Sequence, residues 1–383
     1  MSKEIYVARC KSGLLLVLVI MAGLGACMSG TTNRAPAMPT STAKASPLPT
    51  ASPVIPTRTP IVLPLTPTMV MPAVPDDKRI IASIDVGDPP GVMTVANGLL
   101  WVIAGYSIVR IDPQTDQVLG KPIPVSAQEN VELHDIVVAQ DAVWVSIIGP
   151  RDITRRNPTD SVIRLDPQTG GTVATIEVPR APTSLVYTPG IVWVSNFGLR
   201  AKTVSKIDSH TNQLAEEPVR TGAAPYGMTA GDGSVWVVNH DEGTLTRIDP
   251  GTSQVIANIL LPKEPHRVAF GEGAIWVGNW HDRSISRIDP GTDQVVGDPI
   301  PIGYVAGNIA AGYGNVWVTS DYRGVQAFPE PFEDHVVLVR IDPQTNTVVD
   351  TIPLGGHPVD VEVTEGAVWV SIQNPDRVLK IQP

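Results

Sequence analysis

Gly231-Asp232-Gly233-Ser234-Val235-Trp236-Val237-Val238, then Leu245-Thr246-Arg247-Ile248-Asp249-Pro250-Gly251-Thr252, is the stretch on which the fold turns. Gly-Asp-Gly is hairpin chemistry, because these residues tolerate positive φ. The apolar runs on either side are strand-length and rich in β-branched residues. Asp249-Pro250-x-Thr252 is a second turn: the carboxylate can cap it and proline presets φ. The unit then reads as four strands: an innermost one at 227–230, a second at 235–238, a third at 245–248 and a fourth at 254–260.

The same unit recurs from residue 79 to the end. Trp101, Trp144, Trp193, Trp236, Trp276, Trp317 and Trp369 each follow an apolar residue, at spacings of 40 to 52 residues. That is the period of a four-stranded propeller blade. Arg110-Ile111-Asp112-Pro113 follows the first anchor, and Arg164-Leu165-Asp166-Pro167, Arg247-Ile248-Asp249-Pro250, Arg287-Ile288-Asp289-Pro290 and Arg340-Ile341-Asp342-Pro343 follow others. Lys206-Ile207-Asp208-Ser209 is a variant, and Lys380-Ile381-Gln382 ends the last copy. Because the aspartates belong to a recurring turn, they read as turn caps rather than metal ligands.

Seven anchors mean seven blades, yet the last copy stops after its third strand. The unpaired segment 79–86, Arg-Ile-Ile-Ala-Ser-Ile-Asp-Val, matches the fourth strands of other copies, such as 347–354. It is expected to complete the seventh blade and close the ring, which removes two open sheet edges. The fold class is therefore all-β, a seven-bladed β-propeller of four-stranded blades closed by its N-terminal strand. It follows a Pro/Thr/Ser-rich stalk expected to be disordered.

Composition agrees. In 383 residues, 37 prolines and 33 glycines argue against a helical protein, while 43% hydrophobic residues suffice for a large core. Twenty-eight basic against 38 acidic residues give a net charge of −10, which argues against nucleic-acid binding. The two cysteines, Cys10 and Cys27, both precede the repeats, so the repeat domain holds no disulfide and no cysteine-ligated zinc.

Ahead of the repeats, residues 1–27 read as a targeting signal. Lys3, Arg9 and Lys11 precede an apolar run at 14–22 that is shorter than the roughly 20 residues a bilayer needs. The run ends in Leu24-Gly25-Ala26-Cys27, which resembles the bacterial lipoprotein box. That resemblance implies lipidation at Cys27 and an extracytoplasmic protein anchored to a bacterial membrane, at the cell surface or in the periplasm. An ordinary secretory signal that happens to contain a cysteine is the alternative. Residues 28–78 favour extended polyproline II conformations and read as a spacer to the domain at 79–383.

The repeat register also predicts a site. The loop entering strand one and the loop leaving strand two open on one face, and the Asp-Pro turns on the other. Ten residues before each Trp stand Gly91, His134, Thr183, Tyr226, His266, Gly307 and Val359; the next positions are Val92, Asp135, Ser184, Gly227, Arg267, Asn308 and Asp360. These should ring the mouth of the central channel. His134, His240, His266, His281 and His357 fall on this face, and Trp280 is the one Trp outside the anchors. The expected ligand-binding residues are Tyr226, Asn239, His240, His266, Arg267, Asn279, Trp280, His281, Asn308 and Asp321. Aromatic rings supply contact area and His or Asn supply directional hydrogen bonds. Exposed loops also collect His and Asn without any site. No HxH spacing supports a metal. Two insertions, 147–161 with Arg151, Arg155 and Arg156, and 321–335 with Glu330, Glu333 and Asp334, open on the same face as solvated loops or an oppositely charged lid.

Across residues 79–383 the chain resembles the YVTN-type propellers of bacterial and archaeal surface proteins. It is similar also to the streptogramin B (virginiamycin B) lyase family. The anchor, the stalk and the closed rigid domain fit a monomeric binding module for an envelope protein, a glycan or a small ligand, with no cofactor. The lyase resemblance implies a carbon–oxygen lyase acting by elimination, with a His base, acidic residues and Mg2+. His266 matches the place of such a His. The position where the lyases carry a Glu is Asn279, however, and Tyr226 stands where another His is expected. A quinone-dependent oxidoreductase is disfavoured by blade number and tryptophan pattern. The binding module is therefore the expectation, and the lyase the alternative.

Overall fold

The computed structural model describes residues 77–383 apart from 127–130, 140, 150–159, 199 and 322–335, together with the backbone of 5–9 and 15–19. Two units separate at residue 70. In the first, Ile5–Arg9 pairs antiparallel with Leu15–Val19. Cys27, the spacer up to residue 76 and most of both insertions lie outside the described residues.

The second unit is the propeller. Its seven innermost strands are Pro90–Ala96, Glu132–Ala139, Pro182–Thr188, Pro225–Gly231, Pro265–Gly271, Ala306–Gly312 and His357–Thr364. Each touches the next, and the last touches the first, so the ring is closed. Blade 4 adds Ser234–Asn239, Thr244–Ile248 and Val255–Leu260 to its inner strand, all antiparallel neighbours. Blade 7 ends as anticipated: Ile80–Ile84 pairs with Arg377–Ile381, bringing Ile84 opposite Val378 and Ile80 opposite Ile381. Arg79, just before the closing strand, bridges Asp77 and Asp350 of blade 6, both at 2.5 Å.

The core is a ring of seven inter-blade contacts, each joining one blade's Trp face to the second strand of the next. Trp236 packs with Ile275 and Val277 of blade 5, and Trp369 with Leu100 and Val102 of blade 1. The seven anchors are at most 2% exposed. A buried indole N–H needs an acceptor. In six blades it finds one five residues upstream, across the hairpin, as at Gly231 O for Trp236, Gly271 O for Trp276, and the hydroxyls of Thr188 and Thr364 for Trp193 and Trp369.

The outer strands differ between blades. Blades 2, 4, 6 and 7 carry continuous ones. In blades 1, 3 and 5 the outer strand breaks into two short pieces, as at Gln117–Val118 and Ile123–Pro124. The gaps contain Pro122, Pro218 and Pro299, which cannot donate to the ladder.

The recurring Arg-Ile-Asp-Pro now has a physical explanation. Its basic residue lies directly opposite the blade's own Trp in the strand ladder, as Arg247 does opposite Trp236. Cationic carbons or nitrogens sit 4.8–5.8 Å from the ring centroids in blades 1, 2, 4, 5, 6 and 7. In five blades the same side chain also reaches a turn backbone of the following blade. Arg110 donates to Pro167 O, Arg164 to Ser209 O, Arg247 to Pro290 O, Arg287 to Pro343 O and Lys380 to Pro113 O. The motif's Asp accepts from the backbone N–H two residues on, as Asp249 does from Gly251 N–H at 2.7 Å. Backbone N–H donors hold three of these carboxyls below the usual carboxylate range: Thr169 and then Gln168 for Asp166, Thr211 and then His210 for Asp208, and Gln114 for Asp112. The aspartates are turn caps, as expected.

Candidate functional site: the channel mouth

On the opposite face, two loops are locked together by one hydrogen bond in five of the blades. In blades 1, 3, 4, 5 and 6 the residue four places after the anchor Trp donates its N–H to the residue just ahead of the inner strand. Phe197 bonds Ala181 O, His240 bonds Ala224 O, and Trp280 bonds Glu264 O, at 3.0–3.1 Å. Each of these three acceptors precedes a proline, and Ala224 and Glu264 hold φ of 56° and 55°. A left-handed backbone at a non-glycine residue is strained by about 1–3 kcal/mol and persists only where its surroundings fix it. Here the strained pre-proline corner turns the carbonyl toward the neighbouring loop.

That lock sets Phe197, His240 and Trp280 beside residues at the start of the inner strands. Tyr226 and His266 stack, with centroids 4.2 Å apart and planes 22° from parallel. Trp280 meets His266 edge-on at 4.9 Å, and Phe197 meets Tyr226 edge-on at 5.0 Å. His240 lies 5.7 Å from His266, and His134 lies 6.3 Å from Tyr226. The Arg267 guanidinium carbon is 4.9 Å from the Tyr226 centroid. Six rings from blades 2 to 5 thus form one half-buried platform. His240 Nδ1 is 3.1 Å from Pro265 O. Since a carbonyl only accepts, Nδ1 carries the proton and Nε2 is the acceptor in the neutral ring.

The predicted residues divide accordingly. Tyr226, His240, His266, Arg267 and Trp280 come together in space. Asn239 and Asn279 do not reach the mouth: both are wholly buried. Their amides donate to the third strand of their own blade, Asn239 to Thr244 and Thr246, Asn279 to Ser284 and Ser286. His281 is exposed, its Nδ1 hydrogen-bonded to the Asp282 carboxylate at 3.1 Å, and it makes none of the ring contacts. Asn308 donates to Val359 O of the next blade, and Asp321 is buried with its N–H on Val305 O. Phe197 was missed. It occupies the register position that carries His240 and Trp280 in the next two blades; reading one residue beyond the Asn position would have found it.

Below the mouth, Asp135 and Asp360 act as struts. Asp135 accepts from Leu185 N–H of the next blade at 2.7 Å, and Asp360 from Met93 N–H at 2.7 Å. Burial pushes Asp135 up to about 6 and Asp360 up to about 7, opposed in part by those bonds and by Arg267. Glu362 is also raised well above its ordinary value, by burial and by the two aspartates. On the far side of the mouth, burial lowers His357 to about 4, against the pull of Asp321. Among the described residues no group of three or more His, Cys, Asp or Glu is placed to hold a metal ion. The donor set that the lyase resemblance implies for Mg2+ is therefore not met by them.

Among solved structures, the chain is similar to a streptogramin B lyase at 18% identity and a TM-score of 0.61. That match covers 79% of this chain and 96% of the other. It is similar also to a catalytically inactive virginiamycin B lyase from Staphylococcus aureus with quinupristin, at 16% identity and 0.63, covering 79% and 98%. A chain of the mitotic checkpoint complex gives 0.65 at 10% identity, covering 81% and 96%. Equal likeness to such different proteins concerns the propeller fold alone. No protein-family description and no curated protein matches the chain.

Proposed function

We propose that this chain is a lipid-anchored, extracytoplasmic propeller whose channel mouth captures a ring-bearing ligand of the cell envelope, a glycan or small molecule. The supporting observation is the convergence of Phe197, Tyr226, His240, His266 and Trp280 on one face within ring contacts of 4.2–6.5 Å. Such a surface combines apolar ring area with imidazole and phenol groups that fix orientation. The lipoprotein-like box at Cys27 and the proline-rich spacer support placement on a membrane, outside the cytoplasm. A lyase needs His266 as base beside a carboxylate-held metal, and Asn279 is buried where that carboxylate is expected.

The test compares the full chain with His266→Ala in two assays: binding to envelope fractions, and streptogramin opening with magnesium. The expected result is binding weakened about thirtyfold, as for an aromatic hot spot, and no turnover by either protein. Turnover by the wild type that His266→Ala abolishes, with binding unchanged, contradicts the proposal.

A further inference from the structure

Beside the platform, blade 3 opens a second feature. Arg180, Arg200, Lys202 and Arg220 line one cleft of about 390 Å³, together with Asn196 and Thr203, and among the described residues no acidic one lines it. In a chain of net charge −10, four cations in one cleft are a local reversal of sign. They come from three separate segments. Arg180 lies in the loop entering the inner strand, Arg200 and Lys202 between the second and third strands, and Arg220 opposite Thr203 on the outer strand. The floor is pinned by backbone bonds: Thr221 N–H to Lys202 O at 2.9 Å and Ala224 N–H to Ala201 O at 2.8 Å. Like charges held together repel, and among the described residues Arg200, Lys202 and Arg220 pair with no carboxylate. On the turn face, by contrast, Arg247 meets Asp293 and Lys380 meets Asp116.

The cleft adjoins the platform. Arg180 lies over Gly198, its Cδ 3.5 Å from where a Cβ would stand, and Gly198 follows Phe197 of the ring cluster. Guanidinium groups favour planar or tetrahedral oxyanions, which they bind through paired N–H bonds.

We infer that this cleft is an anion subsite of the mouth, so that the ligand is an acidic carbohydrate. Its sugar ring lies on the aromatic platform and its carboxylate, phosphate or sulfate lies among Arg180, Arg200, Lys202 and Arg220. The inference rests on the mouth being the binding surface, and its test separates the two. The detergent-solubilised full chain is titrated calorimetrically with an oligouronate, with the same oligosaccharide methyl-esterified, and with anionic phospholipid vesicles. The acidic form is expected to bind about tenfold more tightly than the ester at ~50 mM salt, with the gap closing at ~500 mM. Arg200→Ala/Arg220→Ala should bring the oligouronate down to the level of the ester and leave the ester unchanged. Trp280→Ala should weaken both.

Equal affinity for acid and ester, an Arg200→Ala/Arg220→Ala protein that still prefers the acid, or binding to vesicles but to neither oligosaccharide each overturns the subsite. If ester binding still depends on Trp280 in such a result, the mouth reading stands while the subsite falls. Acid binding that depends on the arginines and not on Trp280 keeps the cleft and removes the platform.

Discussion

The turn face and the mouth face are built from one repeat, yet they use it in opposite ways. On the turn face the same register position does the same work in blade after blade. In six of the blades a basic side chain covers its own tryptophan and, in blades 1, 2, 4, 5 and 7, it also donates to the next blade's turn. On the mouth face, the position four places after the tryptophan holds Gly105, Ile148, Phe197, His240, Trp280, Asp321 and Gln373. Its backbone N–H keeps a common role in blades 1, 3, 4, 5 and 6, locking two loops, while the side chain is free to differ. Where packing needs a residue, all blades share it; where only the backbone is needed, chemistry can be placed. The candidate site lies where the repeat loses its symmetry.

Breaking the ring should have the largest effect and should spare neither face. Deleting 79–86 removes the strand paired to Arg377–Ile381 and opens two sheet edges. Loss of one cooperative melting transition, with aggregation, is expected by calorimetry; an unchanged transition contradicts the closure. Trp236→Ala removes a fully buried anchor and should destabilise by about 3–5 kcal/mol in urea melts.

A smaller effect tests the struts beneath the mouth. The folded Asp360 holds its proton up to about 7, against an ordinary value of 3.8, because burial penalises the carboxylate. The folded state therefore binds more protons than the unfolded chain between those values, and stability falls as pH rises from about 4 to 7. Asp360→Asn keeps an oxygen for the Met93 N–H and loses the titration. Urea melts across that range should show a shallower pH dependence for the variant, by on the order of 2–4 kcal/mol. A slope identical to wild type contradicts the burial argument.

The smallest pair contrasts the faces directly. Arg247→Ala should lower stability by about 2 kcal/mol through its lost bonds to Pro290 O and Asp293 and leave ligand affinity unchanged. Trp280→Ala, half-exposed, should do the reverse. Parallel behaviour of the two variants in both assays erases the distinction between the faces.

Period and turn chemistry made the ring readable in advance, because strands and turns are local. Even the closure followed from matching 79–86 to other outer strands. The inter-blade reach of Arg247 was not readable, since its partner Pro290 lies 43 residues away and only the folded ring brings them together. The same holds for the site. Tyr226, His266 and Trp280 fell out of the register, but whether Asn279 faces solvent or Ser286 depends on a side-chain direction that spacing does not encode. The chain's acidity hid the basic cleft, because Arg180 and Arg220 are 40 residues apart and meet only across blade 3.

Trp280 offers the most direct measurement. Seven of the eight tryptophans are buried anchors, so a ligand at the mouth can perturb only this one by contact. Intrinsic fluorescence of the full chain should change saturably on adding the oligouronate, and the change should vanish in Trp280→Phe while the melting temperature stays put. A saturable change that persists in Trp280→Phe, or calorimetric binding with no fluorescence change in the wild type, contradicts the placement of the site at the mouth.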